Sequence, residues 1–466
     1  MFLWNYFRNR WHGQGGYREF AVMAVPLILS TSAWSVQHFV DRMFLAWYSP
    51  EAIAASVPAG IVSFSGLSLF LGTTSYCETF VAQYYGAGRY HRIGPAVWQG
   101  IYLALIGGGV MALCMPLAEP LFTLVGHDPL VRRLEISYFQ VLCLGAAPVL
   151  VNSSIAGFFA GRGRPWPIMW VNAAATVVNV ILNYFLIFGH WGFPELGIFG
   201  AGLATVLSQV FASLVFISLA FRSKHNRIFR TLSGWRPEKM LFLRLCRFGL
   251  PVGIQFSLDV TSFAVFILLV GRLGTVSLAA TNLAFNINIL AFMPMVGSGI
   301  AVSVLVGQYL GANRPDLAQK STYSAFHLTL AYILSISAGY VFIPDLFLSP
   351  FAVKADPERF PEIYSLAVIL LRFVAAFGLF DTLNLIFSSA IKGAGDTRFV
   401  MIMMAIVSTL FLALPAYVVL VLLGGGLMVS WIILTVNVSL LGLIFYFRFL
   451  GGKWKNMRVI EEAPKV

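Results

Sequence analysis

Charge is scarce in this sequence: across 466 residues Asp, Glu, Lys and Arg together make up 11%. Soluble domains carry about 25% charged residues, so this chain cannot clothe a water-exposed surface of the usual kind. Cysteine is scarcer still. Cys77, Cys114, Cys143 and Cys246 lie in or at the ends of apolar stretches, without redox or metal spacing. That excludes a disulfide framework and a thiolate zinc site, and leaves them as packing residues. Neither His-Glu-x-x-His nor Gly-x-Ser-x-Gly occurs, so an intramembrane hydrolase lacks its usual constellation and no catalytic residue is assigned.

What the chain has instead is apolar length. It is 59% hydrophobic with a mean hydropathy of +0.81. A hydrocarbon core roughly 30 Å thick takes about 20 apolar residues per helix, and twelve stretches of that kind are expected. They lie near 20–47, 53–82, 96–118, 135–160, 166–189, 196–221, 246–271, 277–306, 321–344, 364–391, 399–422 and 427–450. Runs such as Leu268-Leu269-Val270 and Ile432-Ile433-Leu434 do not alternate as barrel strands do, so the fold class is an all-α integral membrane protein. Met1 to Tyr6 is short and is followed by Arg8, Arg10 and His12 rather than by an apolar core. The first span is therefore expected to remain in place rather than to be cleaved as a signal.

The net charge of +12 is explained by where it lies. Twelve spans put both termini on one side, and 24 of the 31 Lys and Arg fall on that side, eight of them between Arg222 and Arg247. The positive-inside bias makes both termini cytoplasmic. The basic stretch reads as a topogenic, lipid-facing linker, and it lacks the aromatic interleaving of a nucleic-acid surface.

Gln83-Tyr84-Tyr85-Gly86-Ala87-Gly88-Arg89 recurs as Gln308-Tyr309-Leu310-Gly311-Ala312-Asn313-Arg314, at an offset of 225. The same offset superposes Pro26 on Pro251 and Ala54-Ala55 on Ala279-Ala280, while Gly161-Arg162-Gly163 matches Gly393-Ala394-Gly395 at offset 232. Six spans separate the copies, so the halves are parallel repeats: a lobe over 1–225, a basic linker over 226–245 and a second lobe over 246–466. The two prolines either loosen the first and seventh helices or mark their starts.

An ionised side chain at mid-bilayer costs at least about 2.5–3.5 kcal/mol on insertion scales, so each one calls for a reason. Asp41 sits in span one with Gln37 and His38 a turn before it; its neighbour Arg42 offers an ion pair as the plainer reading. Asp259 falls near the middle of span seven with Gln255 a turn away, and Asp381 near the middle of span ten with Asn384 a turn on. Glu78 lies closer to the cytoplasmic end of span two, and Arg372 at the outer end of span ten can snorkel. Asn179 with Asn183, and Asn282 with Asn286, share helix faces at i, i+4 and either join helices or line a site.

The chain resembles the multidrug and toxic compound extrusion (MATE) transporters, in their NorM-like bacterial branch, over essentially its full length. The resemblance rests on Phe39-Val40-Asp41, Gln83 to Arg89, Asn179 to Tyr184, Pro194-Glu195-Leu196-Gly197 and Gly200 to Thr205 in the first half. In the second half it rests on Gly249-Leu250-Pro251, Asp259-Val260-Thr261, Phe380-Asp381 and Lys392 to Arg398. It implies two parallel six-helix lobes in the bacterial inner membrane that export amphipathic organic cations in exchange for Na⁺ or H⁺, with no other cofactor. It places a coupling site on Asp41, Asn179, Asn183 and Thr205, and a cation or substrate site on Asp259 and Asp381 with Gln255 and Asn286 nearby. Gln37, His38, Glu78 and Asn282 are secondary candidates, and Na⁺ could sit at either cluster. Some members have Asp where this chain has Asn183, and often Glu where it has Asp259.

A flippase for a lipid or lipid-linked sugar is the alternative within the same two-lobed superfamily, but it calls for a strongly cationic cavity. A major-facilitator transporter calls for an acid in the loop after span two, and Gln83 to Arg92 contains none. The expected partners are organic cations and membrane lipids, not nucleic acid, and the expected state is a monomer.

Overall fold

Hydrocarbon cannot satisfy backbone N–H and C=O groups, so long apolar runs cross it as helices that bond internally. The computed structural model describes residues 10–352 and 360–461; Arg8, Lys354, Arg359 and Lys465, weighed above for orientation, lie outside them. Among the described residues there is no strand, and twelve helices are long and apolar enough to cross a membrane. They are α1 (Tyr17–Tyr48), α2 (Pro50–Gly86), α3 (Tyr90–Leu124), α4 (Pro129–Gly161), α5 (Trp166–Phe188), α6 (Gly197–Ala220), α7 (Lys239–Gly271), α8 (Thr275–Gly311), α9 (Pro315–Phe342), α10 (Phe360–Ala394), α11 (Thr397–Leu422) and α12 (Leu427–Leu450).

Helix starts follow their local chemistry. Ser49 caps α2 by accepting from the Ala52 N–H at 3.0 Å, with Pro50 in the first turn. Asp128 does the same for α4, accepting from the Leu130 N–H at 2.9 Å ahead of Pro129, which is the arrangement that satisfies otherwise orphaned donors. Helices α5, α6 and α12 match the apolar runs that predict them to within a residue at each end, while most of the others outrun theirs. Polar turns at their ends continue the spiral once it has been nucleated. The start of α7 is the clearest case, because Lys239 to Leu245 belong to the helix and Ser223–Phe229 forms a short helix of its own. Pro26 and Pro251 lie well inside α1 and α7. They remove interior hydrogen bonds rather than mark helix starts.

The chain divides into two compact units. The first holds Leu29–Ser257, Gly307–Asn313 and the described residues from Arg458 onward; the second holds the described residues up to Ile28, Leu258–Val306 and Arg314–Met457. The units therefore exchange helix starts relative to the sequence halves, and close packing explains the exchange. In the first unit a Cβ on Gly72 of α2 would come within 2.8 Å of the Gly253 Cα of α7; in the second, a Cβ on Gly297 of α8 would come within 2.7 Å of the Ile28 Cα of α1. Gly72 and Gly297 are 225 residues apart, as are Ile28 and Gly253, so one contact is made twice.

The repeated loop motif is also paired in space, inside the first unit. A Cβ on Gly86 would lie 1.9 Å from the Gln308 carbonyl oxygen, and one on Gly311 would lie 2.2 Å from that of Gln83. Gly88 and Asn313, again 225 apart, both take left-handed backbone, with φ of 69° and 57°, the conformation Gly and Asn tolerate best. The C-terminal segment closes over this corner. The Val459 N–H donates to Gln83 Oε1 at 2.8 Å, the Tyr84 hydroxyl donates to Glu461 at 2.6 Å, and Arg92 and Arg244 lie 3.3 and 3.5 Å from the Glu461 carboxylate.

Each unit has its own apolar core. Phe44, Phe122, Tyr138 and Phe139 anchor the first. In the second, Phe285 stacks on Trp431 with ring centroids 5.0 Å apart, beside buried Phe266, and the Trp431 indole N–H donates to Thr281 at 3.3 Å.

Candidate functional site

In the first unit α1, α5 and α6 build a polar cluster in an otherwise apolar interior. The i, i+4 spacing of Asn179 and Asn183 puts both amides on one face of α5, and both are fully buried. Asn183 Nδ2 donates to Asp41 Oδ1 and, at 3.0 Å, to Asn179 Oδ1. Asn179 Nδ2 donates to Thr205 Oγ1 at 3.5 Å, and Thr205 donates in turn to the Ala201 carbonyl at 3.1 Å. Asp41 is 5% exposed and makes no ion pair within 4 Å among the described residues. Its neighbour Arg42 is exposed and acts on the carboxylate electrostatically without a direct ion pair. Asn183 Oδ1 is buried with no hydrogen-bond partner among the described residues.

That cluster gathers a carboxylate, two amide oxygens and a hydroxyl, the oxygen donors that suit a small hard cation. An unsatisfied buried oxygen at its centre is costly and calls for a cation or a donor. Gln37 is buried a turn before Asp41, whereas His38 is exposed and packs edge-on to Trp34 with centroids 4.6 Å apart. Glu78 lies near the other end of its helix, where its backbone packs against Gly157 and Gly161 of α4. It is not part of the Asp41 cluster.

The second unit arranges its acids differently. Asp259 on α7 is exposed and Asp381 on α10 is half-buried, and the two carboxylates lie within electrostatic range of each other. The Asn384 side chain donates to Asp381, and Lys392, further along α10, acts electrostatically on Asp259. Asn282 and Asn286 are exposed on α8, while Gln255, also expected at this site, is buried and belongs to the first unit. The acidic pair thus lies open, with the positive charge of Lys392 in its field, where the Asp41 carboxylate is enclosed.

Two residues escape the sequence reading. Lys392 looks there like part of a loop motif, but it belongs to the last turn of α10. Glu135 looks like the polar start of a span, yet it is fully buried, with His127 Nδ1 2.7 Å from its carboxylate. The helix N-terminal to it, from Pro129, was the missing signal. Among the described residues no three His, Cys, Asp or Glu side chains converge.

Comparison with known proteins follows the same duplication. The family model MatE matches residues 26–185 and again 251–418, starting points 225 residues apart. A probable multidrug resistance protein NorM of Bradyrhizobium diazoefficiens is 30% identical over 389 residues, which cover 82% of each chain. One from Pseudomonas putida is 28% identical over 443 residues, 95% of each chain. Among solved structures, a MOP-superfamily transporter from Pyrococcus furiosus superposes with a TM-score of 0.86 at 19% identity, covering 96% of this chain and 98% of that one. A multidrug resistance MATE-family transporter in an outward-facing conformation gives the same values. With both halves matching the family model and relatives aligned along most of the chain, the protein belongs to the MatE family of transporters.

Proposed function

We propose that this transporter is an antiporter of the bacterial inner membrane, both termini cytoplasmic, that exports amphipathic organic cations in exchange for an inward Na⁺ or H⁺. The reading assigns the coupling ion to Asp41, Asn179, Asn183 and Thr205, and the organic cation to the open pair Asp259 and Asp381. The observation that carries it is the state of Asp41: buried, hydrogen-bonded to Asn183, and without an ion-pair partner among the described residues. A carboxylate placed so calls for neutralisation by a proton or a small cation.

Coupling then follows from competition and alternating access. A carboxylate is neutralised by a proton, by Na⁺ or by a cationic substrate, and occupancy by one disfavours the next. One charge moving down 100 mV releases about 2.3 kcal/mol, and about 1.4 kcal/mol sustains a tenfold gradient, so one inward cation supports on the order of a 40-fold gradient of a neutral substrate. For a monovalent substrate exchanged one for one the potential cancels, and only the ion's concentration gradient drives export. The acids at both clusters also weigh against a flippase for a pyrophosphate-linked lipid, which needs positive charge there.

The test is substrate efflux from proteoliposomes under separately imposed Na⁺ and pH gradients. The expected result is acceleration by one of the two. Efflux indifferent to both removes the antiport reading.

A further inference from the structure

A groove of about 380 Å³ opens on the first unit between α5 and α6, and its lining is apolar throughout. Trp166, Trp170 and Ala174 form one wall and Phe211, Val215 and Leu219 the other. Each wall carries an i, i+4, i+8 stripe, about 12 Å long at 1.5 Å per residue, and Pro167 and Val171 add to the α5 side. That matches most of one leaflet's share of a hydrocarbon core roughly 30 Å thick. Trp170 is 65% exposed and Trp166 is exposed as well, the behaviour of aromatic side chains at a membrane interface.

The end of the groove marked by Trp166 and Leu219 is ringed by positive charge. Arg164 lies two residues before Trp166 and Arg222 three after Leu219, and both are exposed. Behind them Arg162 is only 7% exposed. Its Nε donates to the Phe158 carbonyl at 2.9 Å, and its guanidinium lies over the rings of Phe158 and Phe229 at 3.7 and 4.8 Å. Burial and the neighbouring Arg164 pull the Arg162 guanidinium down to about 10, so it is still charged at neutral pH. His225 lies within the field of both Arg162 and Arg222. None of Arg162, Arg164 and Arg222 has a carboxylate within 4 Å among the described residues.

That lack of a counter-ion is local. At the same end of the unit Arg89, Arg92 and Arg244 share Glu461, and Arg92 also holds Glu238 at 2.9 Å. At the matching corner of the second half, the residue 232 positions after Arg164 is Asp396, which Arg448 holds at 2.7 Å. The second half neutralises its corner internally, and the first half carries arginine where that acid stands. Guanidinium groups bind phosphate through paired N–H donors, and basic sites between spanning helices next to the headgroup layer bind anionic lipid.

We infer that the α5–α6 groove is a binding site for an anionic phospholipid, one acyl chain lying between the two apolar stripes and the phosphate held by Arg164 and Arg222. The missing anion of the corner is then supplied by the membrane.

The experiment is native mass spectrometry of the detergent-purified full chain with added phosphatidylglycerol or phosphatidylcholine, with inorganic phosphate as a competitor. The expected result is retention of phosphatidylglycerol at least about tenfold above phosphatidylcholine, a loss of about thirtyfold in an Arg164→Gln/Arg222→Gln variant, and no displacement by phosphate. Equal retention of the two lipids overturns the inference. So does undiminished retention by the arginine variant, or displacement by inorganic phosphate. Quenching of tryptophan fluorescence by brominated phosphatidylglycerol locates the lipid in the unaltered arginine background: it is expected to fall in Trp166→Phe/Trp170→Phe, and unchanged quenching overturns the placement.

Discussion

In the first unit Asp41 is enclosed by Asn183, Asn179 and Thr205; in the second, Asp259 is exposed and shares its field with Asp381 and Lys392. The matched positions sharpen the contrast. The residue 225 positions after Asp41 is Phe266, buried in the aromatic core with Phe285 and Trp431, and the residue 225 before Asp259 is Trp34, exposed beside His38. The packing of helix starts and loop corners is kept in duplicate, while Asp41 and Asp259 are each matched by an aromatic ring in the other half. Duplication supplied a scaffold that works twice, with Asp41 enclosed on one copy and Asp259 exposed on the other; under the proposed function the closed form takes the small ion and the open one the organic cation.

If the open pair holds the organic cation, removing both charges has the largest effect. Asp259→Asn/Asp381→Asn is expected to lower transport of a cationic substrate about a hundredfold or more, at about 1.5–3 kcal/mol for each charged contact. Transport of a neutral substrate in the same proteoliposomes should fall much less, and equal losses for both would break the comparison. In the closed cluster, Asn183→Leu strips Asp41 of its donor. A drop of about tenfold or more in ion-driven efflux follows, again from a hydrogen bond to a charged group, while equilibrium binding of the substrate changes little.

The duplicated packing is tested by Gly86→Val, which forces a side chain against the Gln308 backbone. Overpacking of this kind costs about 1–3 kcal/mol and should appear as a lower thermal midpoint in detergent. The smallest effect belongs to Glu461. Burial pushes its carboxyl up, but the Tyr84 hydroxyl and the guanidinium groups of Arg92 and Arg244 more than offset this and hold it below its ordinary value. Its contribution is therefore present above the ordinary carboxylate range and is lost as pH falls through the lowered value. Glu461→Gln should cost about 1 kcal/mol or less at neutral pH and low salt, with no difference from the parent chain in acid.

Much of this was legible before any coordinates. The twelve apolar runs announce twelve helices because hydrocarbon admits little else, and the offset of 225 exposes the duplication because loop corners such as Gly86 and Gly311 tolerate no side chain. Asp41, Asn179 and Asn183 stand out because polar atoms are rare in such runs, and the i, i+4 spacing puts the two amides on one face. What the sequence could not convey depends on tertiary contact. The exchange of helix starts at Ile28 and Ser257 is invisible in a linear repeat, and so is the burial of Glu135 behind an extra helical turn. Lys392 hid in a glycine-rich motif, since nothing local says that its charge reaches Asp259. The counter-ion shortage at Arg162, Arg164 and Arg222 appears only once Glu461 and Glu238 have been seen to serve Arg89, Arg92 and Arg244.

The most direct test of the closed and open division is Asp41→Asn, measured twice in the same preparation: equilibrium binding of a cationic substrate, and its efflux from proteoliposomes driven by whichever of the Na⁺ and pH gradients drives the unaltered protein. Substrate binding within about threefold of the parent chain together with loss of gradient-driven efflux is the predicted result. Efflux that still follows the gradient after the substitution would contradict the account.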